Sequence, residues 1–303
     1  AACACAGDMR TLSRRACLAA WPLLACLPGR AHAAPSRIAV LDWSLAETML
    51  ALGAVPAAVG EAPGYRRWLA EPALPPEAVD LGLLTEPNLE LLVQLAPDLI
   101  LLGNGQEAEI GDLLQRIAPT LALSIYDGSG DPLARARQVV LDLATALGRP
   151  EAATDLLATT DLRLAAAQAR LDAVRRPEPA LVLLLSDERH GWVADRGGLI
   201  QGVLDRLGRT NGWPGPASFW GFTTIGIDAL AALPACDLLV GDFMLPEPAA
   251  LTDSPVWRAL PAVRAGRIGT LPRFWYFGGL PTACRLTETI AAALATMPQD
   301  GIG

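Results

Sequence analysis

Few side chains in this chain of 303 residues are able to do acid–base or nucleophilic chemistry. Once a predicted leader is removed, His190 is the only histidine, with Asp187 and Asp195 near it in sequence. Cys236 and Cys284 are far apart in sequence and lack the C-x-x-C spacing of zinc and redox motifs. We therefore expect two buried free thiols rather than a disulfide. The chain has no G-x-S-x-G, P-loop or G-x-G-x-x-G motif. A catalytic triad could therefore use only His190, and an exported hydrolase built on it is a remote alternative.

Tryptophan is the commonest aromatic residue, with eight copies against five phenylalanines and three tyrosines. Outside the predicted leader the tryptophans are Trp43, Trp68, Trp192, Trp213, Trp220, Trp257 and Trp275. Most lie beside predicted strand ends or in loops rich in glycine and proline, where open α/β sheets bind their ligands. Rings gathered in such loops would line a cleft suited to a bulky, amphipathic organic ligand.

Two distant stretches, residues 88–102 and 226–240, have similar sequences. Each has helically spaced leucines followed by an aspartate and a short apolar run, the order of a helix that leads into a buried parallel strand. An acid lies at the same point of each stretch, Glu90 in the first and Asp228 in the second. The repeat predicts two similar α/β lobes with a cleft between them and one of these acids in each lobe.

The elements that must position these residues alternate between strand and helix. Apolar runs predict strands at residues 38–42, 55–59, 97–102, 120–124 and 180–185, and Ser44 is predicted to cap the first helix. Leucine and alanine recur at helical spacing over residues 132–147, 151–174 and 282–297. The second of these helices, with about 24 residues, would be roughly 36 Å long, which suits a strut between lobes.

We therefore predict an α/β fold in which two lobes, each with a central and mostly parallel sheet, are joined by one long backbone helix. The first lobe is expected to comprise residues 34–149, the connecting helix residues 150–176, and the second lobe residues 177–303.

The first 33 residues read as a short upstream stretch, residues 1–8, followed by a cleaved export signal. After an expected start at Met9 come Arg14 and Arg15, an apolar stretch too short to span a bilayer, and an Ala-His-Ala site before Ala34. The two arginines are compatible with the twin-arginine route. An alternative is processing at Cys26, where Leu-Leu-Ala-Cys resembles a lipobox and would leave a lipid anchor. We expect an exported, periplasmic protein.

The charge balance restricts the partners. The formal net charge of −8 and the pI near 4.9 argue against nucleic acid or an anionic membrane surface as a partner, because either would require a basic face. No segment after the leader reads as a membrane helix, so membrane contact is expected only by docking or through a lipid anchor. We expect a monomer.

Seven segments carry a family signal: IAVLDW at 38–43, YRRWLAEP at 65–72, GLLTEPNLE at 82–90, RIAP at 116–119, FWG at 219–221, PVWRALPAVRAGR at 255–267 and FWYFG at 274–278. In this order they resemble the periplasmic ferric hydroxamate siderophore-binding proteins of bacterial iron ABC importers, over residues 37–294. The resemblance implies the helical-backbone class III fold of substrate-binding proteins and no enzymatic activity. It also implies an iron(III)-siderophore as ligand, no resident cofactor, and delivery to an ABC permease driven by its ATPase.

The resemblance implies a set of ligand contacts, and this chain departs from the family at the polar ones. The family's ligand-contacting arginine falls at Leu84, its tyrosine falls at about Gln106, and a further aromatic contact falls at Phe277, which lacks a hydroxyl. The expected aromatic contacts are Trp43, Trp68, Trp213, Trp220, Phe222 and Trp275. Arg67, Arg196 and Arg273 are candidates to replace the lost polar contacts, and no direct metal ligand is expected.

By the same resemblance, Glu90 and Asp228 are expected to meet arginines on the two permease subunits. Three functions remain open from the sequence. The first is a siderophore-binding protein with altered selectivity, the second is the same scaffold with another bulky chelate such as a corrinoid or haem, and the third is the hydrolase that would use His190.

Overall fold

The computed structural model describes residues 34–69, 71–174, 176–242 and 254–298. The predicted leader and the alternative lipid-anchor site Cys26 lie outside these ranges. Within them, no helix has the length and hydrophobicity that a membrane crossing requires.

The described residues alternate between strands and helices. The strands are β1 (Ile38–Val40), β2 (Ala58–Val59), β3 (Val79–Asp80), β4 (Leu99–Leu102), β5 (Thr120–Ala122), β6 (Ala180–Leu185), β7 (His190–Ala194), β8 (Phe222–Gly226), β9 (Asp237–Asp242) and β10 (Ile268–Leu271). The α-helices are α1 (Trp43–Ala51), α2 (Ala62–Trp68), α3 (Leu89–Leu95), α4 (Gln106–Leu114), α5 (Pro132–Ala146), α6 (Pro150–Asp172), α7 (Leu199–Arg206), α8 (Pro255–Ala259), α9 (Pro261–Arg264) and α10 (Leu280–Thr296). A 3-10 helix spans Ile227–Ala232.

The strands form two five-stranded sheets, one in each lobe. The first sheet has the order β3-β2-β1-β4-β5, and all of its pairings are parallel. The second has the order β10-β9-β6-β7-β8, in which β7 runs antiparallel to both of its neighbours. The predicted two-lobe α/β class is confirmed, but the second sheet is mixed. Residues 186–189 connect β6 to β7, and so short a connection allows only an antiparallel pair.

Two local predictions were wrong. Asp42, and not Ser44, is the N-cap of α1, because the Asp42 carboxylate accepts a hydrogen bond from the Leu45 N–H at 3.1 Å. The second strand is shorter than the predicted residues 55–59 and includes only Ala58–Val59. Pro56 has no N–H to donate to a neighbouring strand, and the Val55 side chain is exposed.

Each sheet has two buried faces because side chains alternate along a strand. The largest core cluster contains one face of each sheet, represented by Val40 and Leu184, together with residues of α1, α5, α6, α7 and α10. The opposite face of the first sheet packs under α3 and α4. The opposite face of the second sheet packs under α8 and the 3-10 helix, and Cys236 lies in that layer. Cys236 and Cys284 are both buried as free thiols.

The longest described helix, α6, has 23 residues and is therefore about 35 Å long. Paired hydrogen bonds join it to α5 through Arg137 and Asp161, and to α10 through Arg163 and Glu288. Just beyond the end of α6, the buried Arg176 donates to Asp237 at 3.1 Å and to the Leu294 carbonyl oxygen at 3.0 Å. These contacts hold the middle of α6 against α5 and α10, and they hold the segment after α6 against the second lobe.

A second tie between the lobes is the carboxylate of Glu47 on α1, which is fully buried. It accepts hydrogen bonds from the Gly279 N–H at 2.5 Å, the Thr282 hydroxyl at 2.9 Å and the Arg285 guanidinium at 3.0 Å. These donors belong to the start of α10, where backbone N–H groups lack helical partners and favour negative charge. Glu47 of the first lobe therefore anchors the first turns of the last helix of the second lobe.

We predict that Glu47→Ala lowers the free energy of unfolding by about 3–5 kcal/mol, because the Arg285 charge and the Thr282 hydroxyl lose a buried partner. Urea denaturation followed by circular dichroism measures the change. Glu151→Ala, at an exposed acid in the first turn of α6, is the matched control and should change stability by less than about 0.5 kcal/mol. Equal and small losses in both variants would contradict this role for Glu47.

Candidate ligand-binding site

A cavity of about 320 Å³ lies between the two lobes. Its lining residues from the first lobe are Asp42, Trp43, Leu84 and Asn104, and those from the second lobe are Trp220, Phe222, Trp275 and Phe277. Five of these eight side chains are aromatic, and both lobes contribute rings. An aromatic cleft was predicted from the sequence, and the structure gathers six of the proposed contacts into one cavity.

The aromatic rings of the cavity touch one another across the lobe boundary. The Trp43 and Trp275 ring centroids are 4.6 Å apart, and Trp275 lies 5.7 Å from Phe277. Phe277 in turn contacts Trp220 at 5.8 Å. Such edge and tilted contacts fix the ring planes and leave faces and edges for a ligand.

A second group of rings supports the first. Trp192 stacks on Phe222, with centroids 4.1 Å apart and planes at 18°. Tyr126, from the segment after β5, contacts both Trp220 and Phe277. Burial raises the pKa of the Tyr126 hydroxyl still further above neutral pH. These residues hold the second-lobe wall from behind.

Strand ends place the first-lobe residues at the cavity. The chain leaves β1 at Leu41 and enters α1 directly, so Asp42 and Trp43 lie at the carboxyl end of a central strand. Asn104 follows the adjacent strand, β4, in the same way. The Trp43 indole N–H donates to the Gly60 carbonyl oxygen at 2.8 Å, which fixes the ring.

Asp42 and Asn104 are the polar groups of the lining. One carboxylate oxygen of Asp42 accepts from the Ser44 hydroxyl and the Leu45 N–H, and the other accepts from the Asn104 amide at 3.2 Å. A side chain at position 103 would lie 2.2 Å from the second oxygen, so only glycine fits beside it. Burial raises the pKa of the Asp42 carboxyl, and the hydrogen bonds from Ser44, Leu45 and Asn104 oppose this rise.

Leu84 occupies the position where the family resemblance puts an arginine. Its side chain is partly buried, packs against the core and borders Gly60, where a Cβ atom would lie 2.8 Å from the leucine Cδ2. This position of the cavity wall is therefore apolar.

Gln106 does not take the proposed role of a ligand contact. Its side chain is buried, its amide nitrogen donates to the carbonyl oxygens of Leu41 and Leu84, and its oxygen accepts from the Gly103 N–H. These three bonds tie together the backbone segments that carry the first-lobe lining, so Gln106 positions the site from beneath.

The candidate arginines lie beside the cavity and not in its lining. The guanidinium carbons of Arg67 and Arg273 are 5.9 Å and 5.0 Å from the centroid of the Trp68 ring. Trp68 itself contacts Trp275, with centroids 6.3 Å apart. Trp68 thus extends the aromatic wall outward, with cationic groups over its ring.

Trp213 is separated from the cavity by the second sheet, and Arg196 lies outside the cavity lining. Trp213 packs against the core cluster that includes Leu181 and Leu183, whereas Phe222 packs against the cluster on the other face of that sheet. Arg196 donates to the Trp213 carbonyl oxygen. Both were proposed as ligand contacts from their sequence positions, and this placement excludes them from the lining.

The hydrolase alternative depends on His190, which the described residues do not pair with a serine. His190 is exposed and its Nδ1 lies 3.0 Å from Asp187, which is also exposed. The carboxylate of Asp195 accepts from the N–H groups of Gly197 and Ser218. The neighbouring Ser186 hydroxyl is buried without a hydrogen-bond partner, so no serine–histidine pair of the kind used in nucleophilic catalysis forms here.

Glu90 and Asp228 occupy similar positions in the two lobes. Glu90 lies in the first turn of α3 and Asp228 in the first turn of the 3-10 helix, and both are exposed. Each of these helices precedes a central strand of its sheet, β4 and β9 respectively. Neither acid reaches the cavity lining.

Sequence reasoning missed Asp42 and Asn104. Asp42 stood in the family motif beside Trp43, and Asn104 follows the strand predicted at residues 97–102, but neither was named as a ligand contact. Their positions at the carboxyl ends of neighbouring parallel strands were the available signal, since ligands of open α/β sheets bind there.

Comparison with known proteins supports the resemblance found in the motifs. Residues 38–273 match the family model described as periplasmic binding protein. The chain is 37% identical over 289 residues to the iron(3+)-hydroxamate-binding protein FhuD of Escherichia coli strain K12, covering 93% of this chain and 97% of that protein.

Solved structures show the same relationship. The siderophore-binding protein FhuD of Vibrio cholerae, bound to Fe3+-Desferal, superposes with a TM-score of 0.82 at 27% identity, covering 87% of this chain and 99% of that one. The petrobactin-binding protein YclQ of Bacillus subtilis shares the fold, with a TM-score of 0.70 at 17% identity over 86% of this chain and 92% of its own. From the family match and the near full-length identity, we conclude that the chain belongs to the periplasmic binding protein family.

Proposed function

We propose that this chain is the extracytoplasmic ligand-binding component of an ABC importer and that its ligand is an iron(III)-siderophore of the hydroxamate type. The observation that carries the proposal is the cavity lined by five aromatic residues from both lobes. The names of its E. coli and V. cholerae relatives, an iron(3+)-hydroxamate-binding protein and a protein bound to Fe3+-Desferal, support the ligand class. The chain binds and delivers its ligand without transforming it.

The chemistry of the ligand agrees with an apolar wall at Leu84. Three hydroxamate groups carry one negative charge each and neutralise Fe3+, so the chelate presents an uncharged, organic surface. Aromatic rings pack well against such a surface and gain about 25 cal/mol for each Å² of apolar area that is buried. An uncharged chelate does not require an arginine in the cavity, and it is held mainly through Trp43, Trp220, Phe222, Trp275 and Phe277.

The two lobes undergo only a small closure in this proposal. Residues 34–149 and 177–303 act as lobes, and residues 150–176 connect them. The helix α6 is held against α5 and α10 by charged pairs, and Glu47 joins α1 to the start of α10. A ligand then enters an aromatic cleft that is largely formed in advance, which reduces the entropic cost of binding.

The protein acts outside the cytoplasm after export by its N-terminal signal, with a lipid anchor at Cys26 as the alternative form. The loaded protein docks on a permease through Glu90 and Asp228, one acid from each lobe. Apolar side chains support this role: Val93 is exposed and lies three residues from Glu90 on the same helix face. Val256 is exposed and borders a surface pocket with Asp228.

We predict that ferric Desferal quenches the tryptophan fluorescence of the purified chain saturably at sub-micromolar concentration, whereas haem and a corrinoid do not. Saturable quenching by haem or the corrinoid alone would favour the alternative ligand class. The hydroxamate proposal fails if no ferric hydroxamate changes the signal.

Trp220→Ala is expected to weaken binding of ferric Desferal by about thirtyfold, the loss of a typical hot-spot residue. Trp220 is partly exposed, so its removal should leave the fold intact. Isothermal titration calorimetry measures the affinity. Phe219→Ala, at the exposed neighbour outside the aromatic lining, is the matched control and should bind like the parent chain. Similar affinities for both variants would contradict the assigned cavity.

Charge reversal at the two docking acids, Glu90→Arg with Asp228→Arg, is expected to abolish uptake of the ferric ligand in cells while leaving affinity unchanged. Uptake of radioactive iron and titration of the purified variant provide the two measurements. Glu107→Arg with Glu151→Arg is the control, because both are exposed acids in the first turns of other helices. A parallel loss of affinity in the docking variant would show that these acids act at the ligand site instead.

A further inference from the structure

The polar part of the cavity lining consists of one carboxyl group and one amide group. Among the described residues of its lining, Asp42 is the only ionisable one, and the remaining lining consists of apolar side chains and Asn104. Arg67 and Arg273 lie over the Trp68 ring, and Arg196 borders a separate surface pocket with Tyr126 and Phe219. The wall position 84 is a leucine. A ligand in this cavity therefore meets a carboxylate with no basic side chain of the lining to balance it.

The cap of α1 does not account for the charge. Asparagine caps a helix about as well as aspartate, so a cap alone does not require an anion. One oxygen of Asp42 already accepts from Ser44 and Leu45, whereas the second accepts, among the described residues, only the long bond from Asn104. A carboxylate oxygen has room for two donors, so this second oxygen retains acceptor capacity.

The position of that oxygen is fixed before a ligand arrives. Asn104 is oriented by Ser124, whose hydroxyl donates to the Asn104 oxygen at 2.8 Å and thereby turns the amide N–H toward Asp42. Gly103 leaves the space that the carboxylate occupies. The rings of Trp43 and Trp275 line the same cavity, and aromatic faces together with a carboxylate form a favourable environment for an organic cation.

We propose that Asp42 is a specificity-determining residue that selects ferric hydroxamates bearing a cationic ammonium group and discriminates against anionic ferric chelates. The inference rests on the proposed siderophore-binding function and names its substrate class. Because a ferric trihydroxamate centre is neutral, the net charge of the ligand comes from its side groups. A single carboxylate can attract or repel these groups according to their charge. Ferric citrate and ferric catecholates carry net negative charge and would be repelled at the same point.

Two matched complexes test the charge directly. Desferal has a terminal primary amine, and its N-acetylated derivative has the same iron centre and the same chain but a neutral amide in place of the ammonium. The amide keeps an N–H donor, so a difference between the complexes reports the charge and not the hydrogen bond. We expect the chain to bind ferric Desferal about tenfold more tightly than the acetylated complex, as is typical for a charge-assisted contact. Ferric citrate should not bind measurably.

Variants assign the preference to Asp42. Asp42→Asn keeps a good N-cap and should bind the two complexes equally, by losing affinity for ferric Desferal alone. Leu84→Arg places a cation in the lining and should also abolish the preference. It provides a second, independent test if Asp42→Asn folds poorly. Asp131→Asn, the same change at the exposed N-cap of α5, is the control and should keep the tenfold difference.

The outcomes separate this inference from the proposed function. Equal affinity of the parent chain for both complexes, or a preference that survives Asp42→Asn, would overturn the role of Asp42 and leave siderophore binding intact. Failure to bind either ferric complex would overturn the proposed function, and this inference with it.

Discussion

The buried carboxylate of Glu47 is the interaction on which the arrangement of the ligand site depends. It lies on α1 of the first lobe and accepts three hydrogen bonds from the first turns of α10 in the second lobe. A buried charge is tolerated only where donors surround it, so the carboxylate specifies which residue of the second lobe lies against α1. The residue it holds, Gly279, ends the segment that carries Trp275 and Phe277 into the cavity. The contact between the lobes and the aromatic wall are thus parts of one arrangement.

The short helix α1 contributes three residues with different roles to this arrangement. Its N-cap, Asp42, gives the cavity its charge, Trp43 contacts Trp275 across the boundary, and Glu47 lies one helical turn further on and fixes the last helix. Strand β1 is central in its sheet and delivers α1 to this place, while the neighbouring strand β4 delivers Asn104. A ligand that contacts α1 therefore binds next to the contacts that α1 makes with the second lobe. The relative position of the lobes is fixed by α6 and by Glu47.

The sequence predicted the two-lobe class, the long helix and most of the aromatic lining, because these depend on periodicity and on motifs read in order. It failed where the answer depends on which face of a strand or loop a side chain occupies. Trp213 and Trp220 both lie in loops rich in glycine and proline, yet Trp213 packs on the opposite side of the second sheet. Gln106 aligns with a contact residue, but its amide satisfies backbone groups of Leu41 and Leu84. The role of Asp42 was not predicted, because Ser44 had been assigned as the N-cap of α1.

The central claim is that the aromatic cavity between the lobes holds a ferric hydroxamate. Crystals of the chain grown with ferric Desferal, with diffraction data collected at the iron absorption edge, test it most directly. The account predicts a single strong anomalous peak within the cavity lined by Trp43, Trp220 and Trp275. An iron peak elsewhere on the protein, or a cavity without iron in crystals that contain the complex, would contradict it.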